Sequence, residues 1–394
     1  MKLVDELNQR EFDGLYRVRR TIDSYQGPLV VIDDEELRGE SKYDEEYLNF
    51  SSNDYLGLAN NEVLKASMIA AIEAYGVGAG SSQLVVGHST PHKMLEKRLA
   101  EFLNRDAALV FSSGYLANLA IASVLIDSNT IILQDKLNHA SLIDAAQLSK
   151  GRLVRYRHSD INHLKFLLEK YKNNNLVVMT DGVFSMDGDF APIVEIAKLC
   201  KTYDAFLIVD DAHGLGVLGD TGAGLLELQK LDQLQVPLLI GTFGKSFGGC
   251  GAFVSGSALH VEAFIQKART YIYTTAMLPS LAAAMTQAID LVENAGELRQ
   301  NLFRLIKLYK ELMQDAKLEA SESGSHIQPL IIGNANKTVE LSESLYKNKL
   351  LAAAIRPPTV AKGTSRLRLS FTAAHNKEQV ARLVRAIKNN LDEQ

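Results

Sequence analysis

AFLIVDDAHGLG (205–216) and PLLIGTFGKSFGG (237–249) share one pattern, an unbroken apolar run that closes on polar residues and glycine. A continuous apolar run, unlike an alternating one, predicts a strand buried on both faces, as in a parallel sheet covered by helices. The pattern recurs at AALVF (107–111), TIILQ (130–134) and NLVVMT (175–180). Helical periodicity fills the intervals. In STPHKMLEKRLAEFL (89–103), Ser89 or Thr90 is placed to cap, Pro91 suits a first turn, and Met94, Leu95, Leu99, Phe102 and Leu103 share a face. Strands alternating with helices predict an α/β fold.

Beyond Thr275 the rhythm changes. A long amphipathic helix near 297–316 leads to strand-like HIQPLIIG (326–333), a helix near 338–349, strand-like RLRLSF (366–371) and a last helix near 376–391. A chain of 394 residues exceeds the size of one growing core, so the expected organisation is an N-terminal segment (1–45), a large domain (46–280) and a smaller C-terminal α+β domain (281–394). A net charge of −5 gives no basic field for nucleic acid. The first twenty residues are charged throughout, and no apolar run approaches the roughly 20 residues a membrane span needs. Cys200 and Cys250 have no ligand spacing, and His88, His92, His158, His163 and His260 form none either. These five histidines are expected at the surface or in packing, no metal is expected, and the chain reads as a cytoplasmic protein.

Ligands of open α/β sheets bind at the carboxyl ends of the strands. FSSGYLAN, DKLNHAS, DGVFSMDGD, DDAHGLG and FGKSFGG all fall at such ends. Lys245 emerges from a glycine-flanked turn directly after a strand. A phosphate-binding P-loop would need glycine where Leu239 stands, which leaves a lysine suited to condensing with an aldehyde cofactor. Asp210 closes its strand as a cap, a magnesium ligand or the partner of a protonated ring nitrogen; a pyridoxal 5′-phosphate (PLP) ring acts as an electron sink when that nitrogen is protonated. His213, three residues on, is placed for the ring's phenolic oxygen. His139, at a strand-to-helix junction, offers an imidazole face for stacking or proton transfer. Gly114 and Tyr115 open a helix whose N–H groups suit phosphate, and Ser185 and Thr242 offer hydroxyls. GVGAGSSQLVVG (76–87) follows a helix, not a strand, which argues against a dinucleotide site and for a glycine loop near substrate.

NFSSNDYLGL (49–58), FSSGYLAN (111–118), NHASLIDAA (138–146), TDGVFSMDGD (180–189), VDDAHGLGVLG (209–219), GTFGKSFGG (241–249) and YIYTTAMLP (271–279) together resemble the fold-type I, PLP-dependent α-oxoamine synthases over nearly the whole chain. The resemblance implies an aminotransferase-like fold and a homodimer with interfacial active sites. It implies Lys245 as the covalent PLP anchor, Asp210 at the pyridine nitrogen and His139 stacked on the ring. Gly114, Tyr115, Ser185, His213 and Thr242 would hold the remaining cofactor groups, while Asn53 and Thr274 or Thr275 would reach the partner's cofactor. Arg17 and Thr359 would contact substrate, and Arg368 would take the amino acid carboxylate, with Arg366 competing because alternate strand residues face one way. IQPLIIG and AIRPPTVAKGTSRLRLSFTAAH (354–375) are similar to family members that join L-alanine to a pimeloyl thioester, carried by coenzyme A or acyl carrier protein. In that stretch Arg356, stiffened by two prolines, rivals Arg17 as the reader of the acyl chain's distal carboxylate. Glycine C-acetyltransferases share the core motifs, a PLP aminotransferase or carbon–sulfur lyase would share the lysine and aspartate, and a nucleotide-binding regulator would share the sheet.

Overall fold

The computed structural model describes residues 2–33 and 46–392; residues 34–45 of the expected N-terminal segment lie outside them. The chain divides into two compact units, one of Asn61–Ser185 and Asp189–Gly296, the other of Met1–Asn60, Met186–Gly188 and Glu297–Gln394. Among the described residues α1 (Lys2–Phe12), β1 (Thr21–Ile22), β2 (Leu29–Asp33) and β3 (Glu46–Asn49) come first, all in the latter unit.

The larger unit starts with α2 (Glu62–Tyr75) and α3 (Thr90–Phe102). Ser89 caps α3, its N–H donating to His92 Nδ1 at 3.1 Å. Then follow β4 (Ala107–Phe111), α4 (Gly114–Val124), β5 (Thr130–Asp135), α5 (Ala140–Leu148), β6 (Arg152–Tyr156), α6 (Ile161–Lys170), β7 (Asn175–Asp181), α7 (Ile193–Thr202) and β8 (Phe206–Asp210). A short α8 (Leu225–Leu228), β9 (Leu238–Thr242), β10 (Ala252–Gly256), α9 (Ala258–Lys267), α10 (Arg269–Ile272) and α11 (Pro279–Glu293) complete it.

Seven strands form one sheet in the order β4-β10-β9-β8-β7-β5-β6. The β6-β5-β7-β8-β9 block is parallel, and β10 runs antiparallel to both its neighbours. Every apolar run read from sequence is a strand here. β6 and β10 are additions: β6 is an edge strand whose Arg152 and Arg155 stay exposed, and β10 emerges from a glycine-rich loop that hides its short apolar pattern. One face of the sheet packs Leu109, Ile132, Val177, Ile208, Ile240 and Val254 against Ile121, Leu142 and Phe264. Met94 departs from the expected α3 face: it is 58% exposed, whereas Leu95, Leu99 and Phe102 are buried. Most of α11, assigned to the small domain by the 280/281 boundary, packs instead against α2 and α3, where Arg98 pairs with its Asp290 and Glu293.

The smaller unit adds α12 (Gly296–Asp315), β11 (Ile327–Gly333), α13 (Ala335–Lys347), β12 (Leu350–Leu351), β13 (Ala353–Ile355), β14 (Ser365–Ser370) and α14 (Lys377–Asp392). It holds two sheets, β1-β2-β3-β12 and β11-β14-β13. Phe371 at the end of β14 meets Phe50, Tyr309 and His375 in its core. Among the described residues no helix is long and apolar enough to cross a membrane.

If the large core is as continuous as this packing indicates, Ile132→Ala, at a site with no exposure, should lower unfolding free energy by about 2 to 5 kcal/mol. Phe166→Ala, at a residue 62% exposed on α6, should cost under about 0.5 kcal/mol. Denaturant titration followed by circular dichroism separates the two; equal midpoint shifts would contradict the layering.

Candidate active site

A cavity lies at the carboxyl edge of the large sheet, lined by residues that follow five of its strands. The segment after β4 supplies Gly114 and Tyr115, that after β5 supplies His139 and Ser141, and β7 with its loop supplies Asp181 and Ser185. β8 and its loop supply Asp210 and His213; β9 and its loop supply Thr242 and Lys245. All eight large-unit residues assigned from sequence to the cofactor, apart from Thr274 and Thr275, therefore meet in one place. Thr275 instead bridges to Ser82, and its carbonyl accepts from Ser112 Oγ at 3.1 Å, which ties the glycine loop to the segment after β4.

Asn118, Ser141 and Asp181 also line the cavity and were not singled out from sequence. Asn118 stands one helical turn beyond Gly114 on α4, and Asp181 ends β7 in register with Asp210 at the end of β8. That pairing of strand-ending aspartates was the available signal. The Asn118 amide donates both to Asp210 Oδ2 at 2.7 Å and to Ser141 Oγ at 2.8 Å. Asp210 Oδ1 accepts from Ala212 N–H at 3.1 Å. His139 N–H donates to Asp181 Oδ2 at 2.7 Å, so the end of β7 fixes the start of α5.

The state of His139 follows from its neighbours. Ser141 N–H donates to His139 Nδ1 at 3.3 Å, and Ser141 Oγ lies 2.7 Å from the same nitrogen. An N–H can only donate, so Nδ1 is an acceptor and the neutral ring carries its proton on Nε2. Burial, opposed by the charge of Asp210 and reinforced by that of Lys245, lowers the histidine's pKa and favours this neutral form. Burial, then the charge of Asp210, raises Asp181 well above the ordinary carboxylate range. Asp211, facing away from the solvent, is pushed up to about 8, first by burial. Its Oδ2 accepts from Leu225 N–H at 2.6 Å, and Cβ atoms built at Gly182, Gly214 and Gly224 would come within 2.6 Å of its oxygens. Those glycines let the backbone close around the Asp211 carboxyl.

This donor set fits a flat phosphorylated pyridine aldehyde. Asp210 offers a buried carboxylate to a ring nitrogen, His139 an imidazole, and Lys245 an amine. The N-terminus of α4 begins at Gly114 in the cavity wall, where free N–H groups and the positive helix end suit a phosphate. A Cβ at Gly114 would point into the space before Thr242, 3.9 Å from its Cβ, so the missing side chain keeps that space open.

The substrate residues expected from sequence belong to the smaller unit. Arg368, buried on β14, donates to Asn53 Oδ1 at 3.0 Å, Ser370 Oγ at 2.8 Å and Tyr55 OH at 3.3 Å. Its rival Arg366 is engaged in an ion pair with Asp187. Arg17 and Arg356 line a groove with Thr359. Arg17 Nη2 donates to Thr359 Oγ1 at 3.3 Å, whereas Arg356 braces the segment between α1 and β1 by donating to the carbonyls of Gly14 and Tyr16 at 2.7 and 2.6 Å. Among the described residues no cluster could hold a metal ion.

A strand-edge lysine and aspartate in this fold define a class of enzyme, and the aminotransferase class I and II family model matches residues 45–387. The chain belongs to that family. It is 46% identical over 385 residues, 98% of its length, to an 8-amino-7-oxononanoate synthase of Hahella chejuensis, of which 95% is covered. An 8-amino-7-oxononanoate synthase of Thioalkalivibrio sulfidiphilus is 46% identical over 99% of this chain and 97% of its own. Among solved structures, serine palmitoyltransferase from S. paucimobilis with bound PLP aligns at TM-score 0.91 and 27% identity, over 100% of this chain and 97% of that one. The 8-amino-7-oxononanoate synthase of Francisella tularensis aligns at TM-score 0.78 and 31% identity, over 89% and 99%.

The protonation of Asp211 has a measurable sign. Between the ordinary carboxylate pKa and about 8 the unfolded chain is ionised there while the folded chain holds the proton, so stability falls as pH rises through that window. Asp211→Asn removes the penalty. The melting temperature of the variant relative to the parent should rise from pH 4 to pH 8 and then level; a difference that shrinks with pH would contradict the assignment.

Proposed function

We propose that this enzyme, with PLP as cofactor, joins L-alanine to a pimeloyl thioester, forming 8-amino-7-oxononanoate, carbon dioxide and the free thiol carrier, a reaction of biotin biosynthesis. The reading is carried by 46% identity over 98% of the chain to a relative named for that product. The donor set of the cavity supports the cofactor.

Bound there, PLP supplies an aldehyde carbon and a ring that draws electrons from the α-carbon of an attached amine. Lys245 would hold the aldehyde through its amine, and the same amine, when free, would be the base that takes the α-proton. Asp210 would keep the ring nitrogen protonated. His139 would offer its imidazole face to the cofactor and, through its Nε2–H, would donate to the thioester carbonyl oxygen as charge develops there. Gly114, Tyr115, Ser185 and Thr242 would hold the phosphate end, and His213 the phenolic oxygen. Arg368 takes the alanine carboxylate, a role favoured by the engagement of Arg366 with Asp187. Arg17 with Thr359 would read the distal carboxylate of the acyl chain, a role favoured over Arg356 because that guanidinium is held to the backbone carbonyls of Gly14 and Tyr16.

The active form we assign is a homodimer, in which Asn53 and Thr274 or Thr275 reach the partner's cofactor. Val77, Val85, Val86 and Tyr273 of the large unit, which flank Ser82 and Thr275 in sequence, are each 70% or more exposed, and large apolar side chains left in water are ordinarily covered by another chain.

Mass spectrometry of reaction mixtures tests the substrate reading. Alanine with pimeloyl-CoA should give 8-amino-7-oxononanoate; product from glycine with acetyl-CoA alone would overturn it, and pyruvate from alanine alone would mark an aminotransferase. Asp210→Asn should lower kcat by at least about tenfold while changing cofactor affinity less. Arg17→Ala should lower kcat/KM for pimeloyl-CoA by roughly one to two powers of ten, the value of a charge-assisted hydrogen bond, and spare octanoyl-CoA. Equal loss with both thioesters would remove Arg17 from that role.

A further inference from the structure

His158 lies outside the cavity and has no place in the chemistry above. Sequence reading set it aside as a surface or packing residue, but the structure puts it between two carboxylates. Its Nδ1 is 2.9 Å from Asp135 Oδ1 and its Nε2 is 2.8 Å from Asp189 Oδ2. The ring stands edge-on to Phe184, with centroids 4.5 Å apart at 88°. Asp135, the last residue of β5, is 1% exposed, and its carboxylate also accepts from Leu137 and Ser159 N–H, each at 2.8 Å. Asp189 accepts at its carbonyl from Phe184 N–H at 3.0 Å.

Both partners sit at the roots of cavity loops. Asp135 begins the segment that ends in His139, and Asp189 closes the loop that carries Ser185. A ring that donates from both nitrogens to carboxylates is an imidazolium, and it repays two acids that would otherwise face each other unscreened in a half-buried site. Burial opposes the charge, but the hydrogen bonds and charges of Asp135 and Asp189 outweigh it and raise His158 to about 10.

We propose that His158 is a positioning residue: as a cation it clamps Asp135 to Asp189 and so holds the His139 loop and the Ser185 loop at the spacing the cofactor requires. The inference rests on the reading of the cavity as a PLP site. Neutral His158→Gln cannot hold both carboxylates as a cation, so the loops should separate at the cofactor while the sheet beneath them stays folded.

The test is titration of the cofactor-free dimer with PLP, followed by absorbance and by visible circular dichroism of the bound cofactor. His158→Gln should weaken PLP binding about tenfold, the scale of one lost charge-assisted hydrogen bond, and alter the dichroic band. His158→Arg, which keeps the charge and a two-ended donor, should restore part of both. Asp189→Asn, at a more exposed residue and hence tolerated by folding, should weaken PLP binding similarly, and the double variant should cost no more than either single one. PLP affinity and dichroism within twofold of the parent in His158→Gln or Asp189→Asn, or additive losses in the double variant, would overturn the clamp. A parent protein that takes up no PLP at all would overturn the cofactor reading itself.

Discussion

The bond from the Asn118 amide to Asp210 is the interaction on which the arrangement of the cavity turns. β8 carries four apolar residues to the centre of the sheet and then places a carboxylate at its end, and a charge withdrawn from water there costs several kcal/mol unless dipoles replace the solvent. Asn118 and the Ala212 N–H supply those dipoles and fix where the oxygens point. Because the same amide also donates to Ser141, which is bonded to His139 Nδ1, orienting the carboxylate and setting the histidine tautomer are one event.

A second constraint is the density of acids at that edge. Asp181, Asp210 and Asp211 fall at adjacent strand ends, and three full charges in so small a buried volume would repel one another strongly. The fold holds Asp181 and Asp211 toward their neutral forms by burial and by the neighbouring charge. Each then has a structural use: Asp181 receives the His139 N–H, and Asp211 receives the first N–H of α8 between glycines that leave no room for a side chain. Neutral acids serve as braces, and the charge at the edge is left for chemistry.

Much of this was legible in the amino-acid sequence because buried parallel strands write themselves as continuous apolar runs and their polar ends follow at once. Lys245, Asp210, His139 and the α4 start could be placed on one sheet edge from that alone. Other features depend on tertiary relations that carry no local signal. β6 is an edge strand with two exposed arginines, so its periodicity is diluted, and Met94 fits the α3 stripe yet faces outward. Asn118 and Ser141 acquire meaning only when α4 and α5 come together, and His158 only when β5 and the β7 loop bring two carboxylates to it. Alternation cannot separate Arg366 from Arg368, since both lie on one face of β14; only the tertiary structure shows that Arg366 pairs with Asp187 while Arg368 donates to Asn53, Ser370 and Tyr55.

The central claim is that the cavity at the carboxyl edge holds PLP through Lys245. Borohydride reduction of the purified protein, followed by proteolysis and peptide mass spectrometry, tests it most directly. The account predicts a phosphopyridoxyl mass gain on the peptide containing Lys245, retained as an uncleaved site at that residue. A gain on another lysine, or none with PLP in excess, would contradict it.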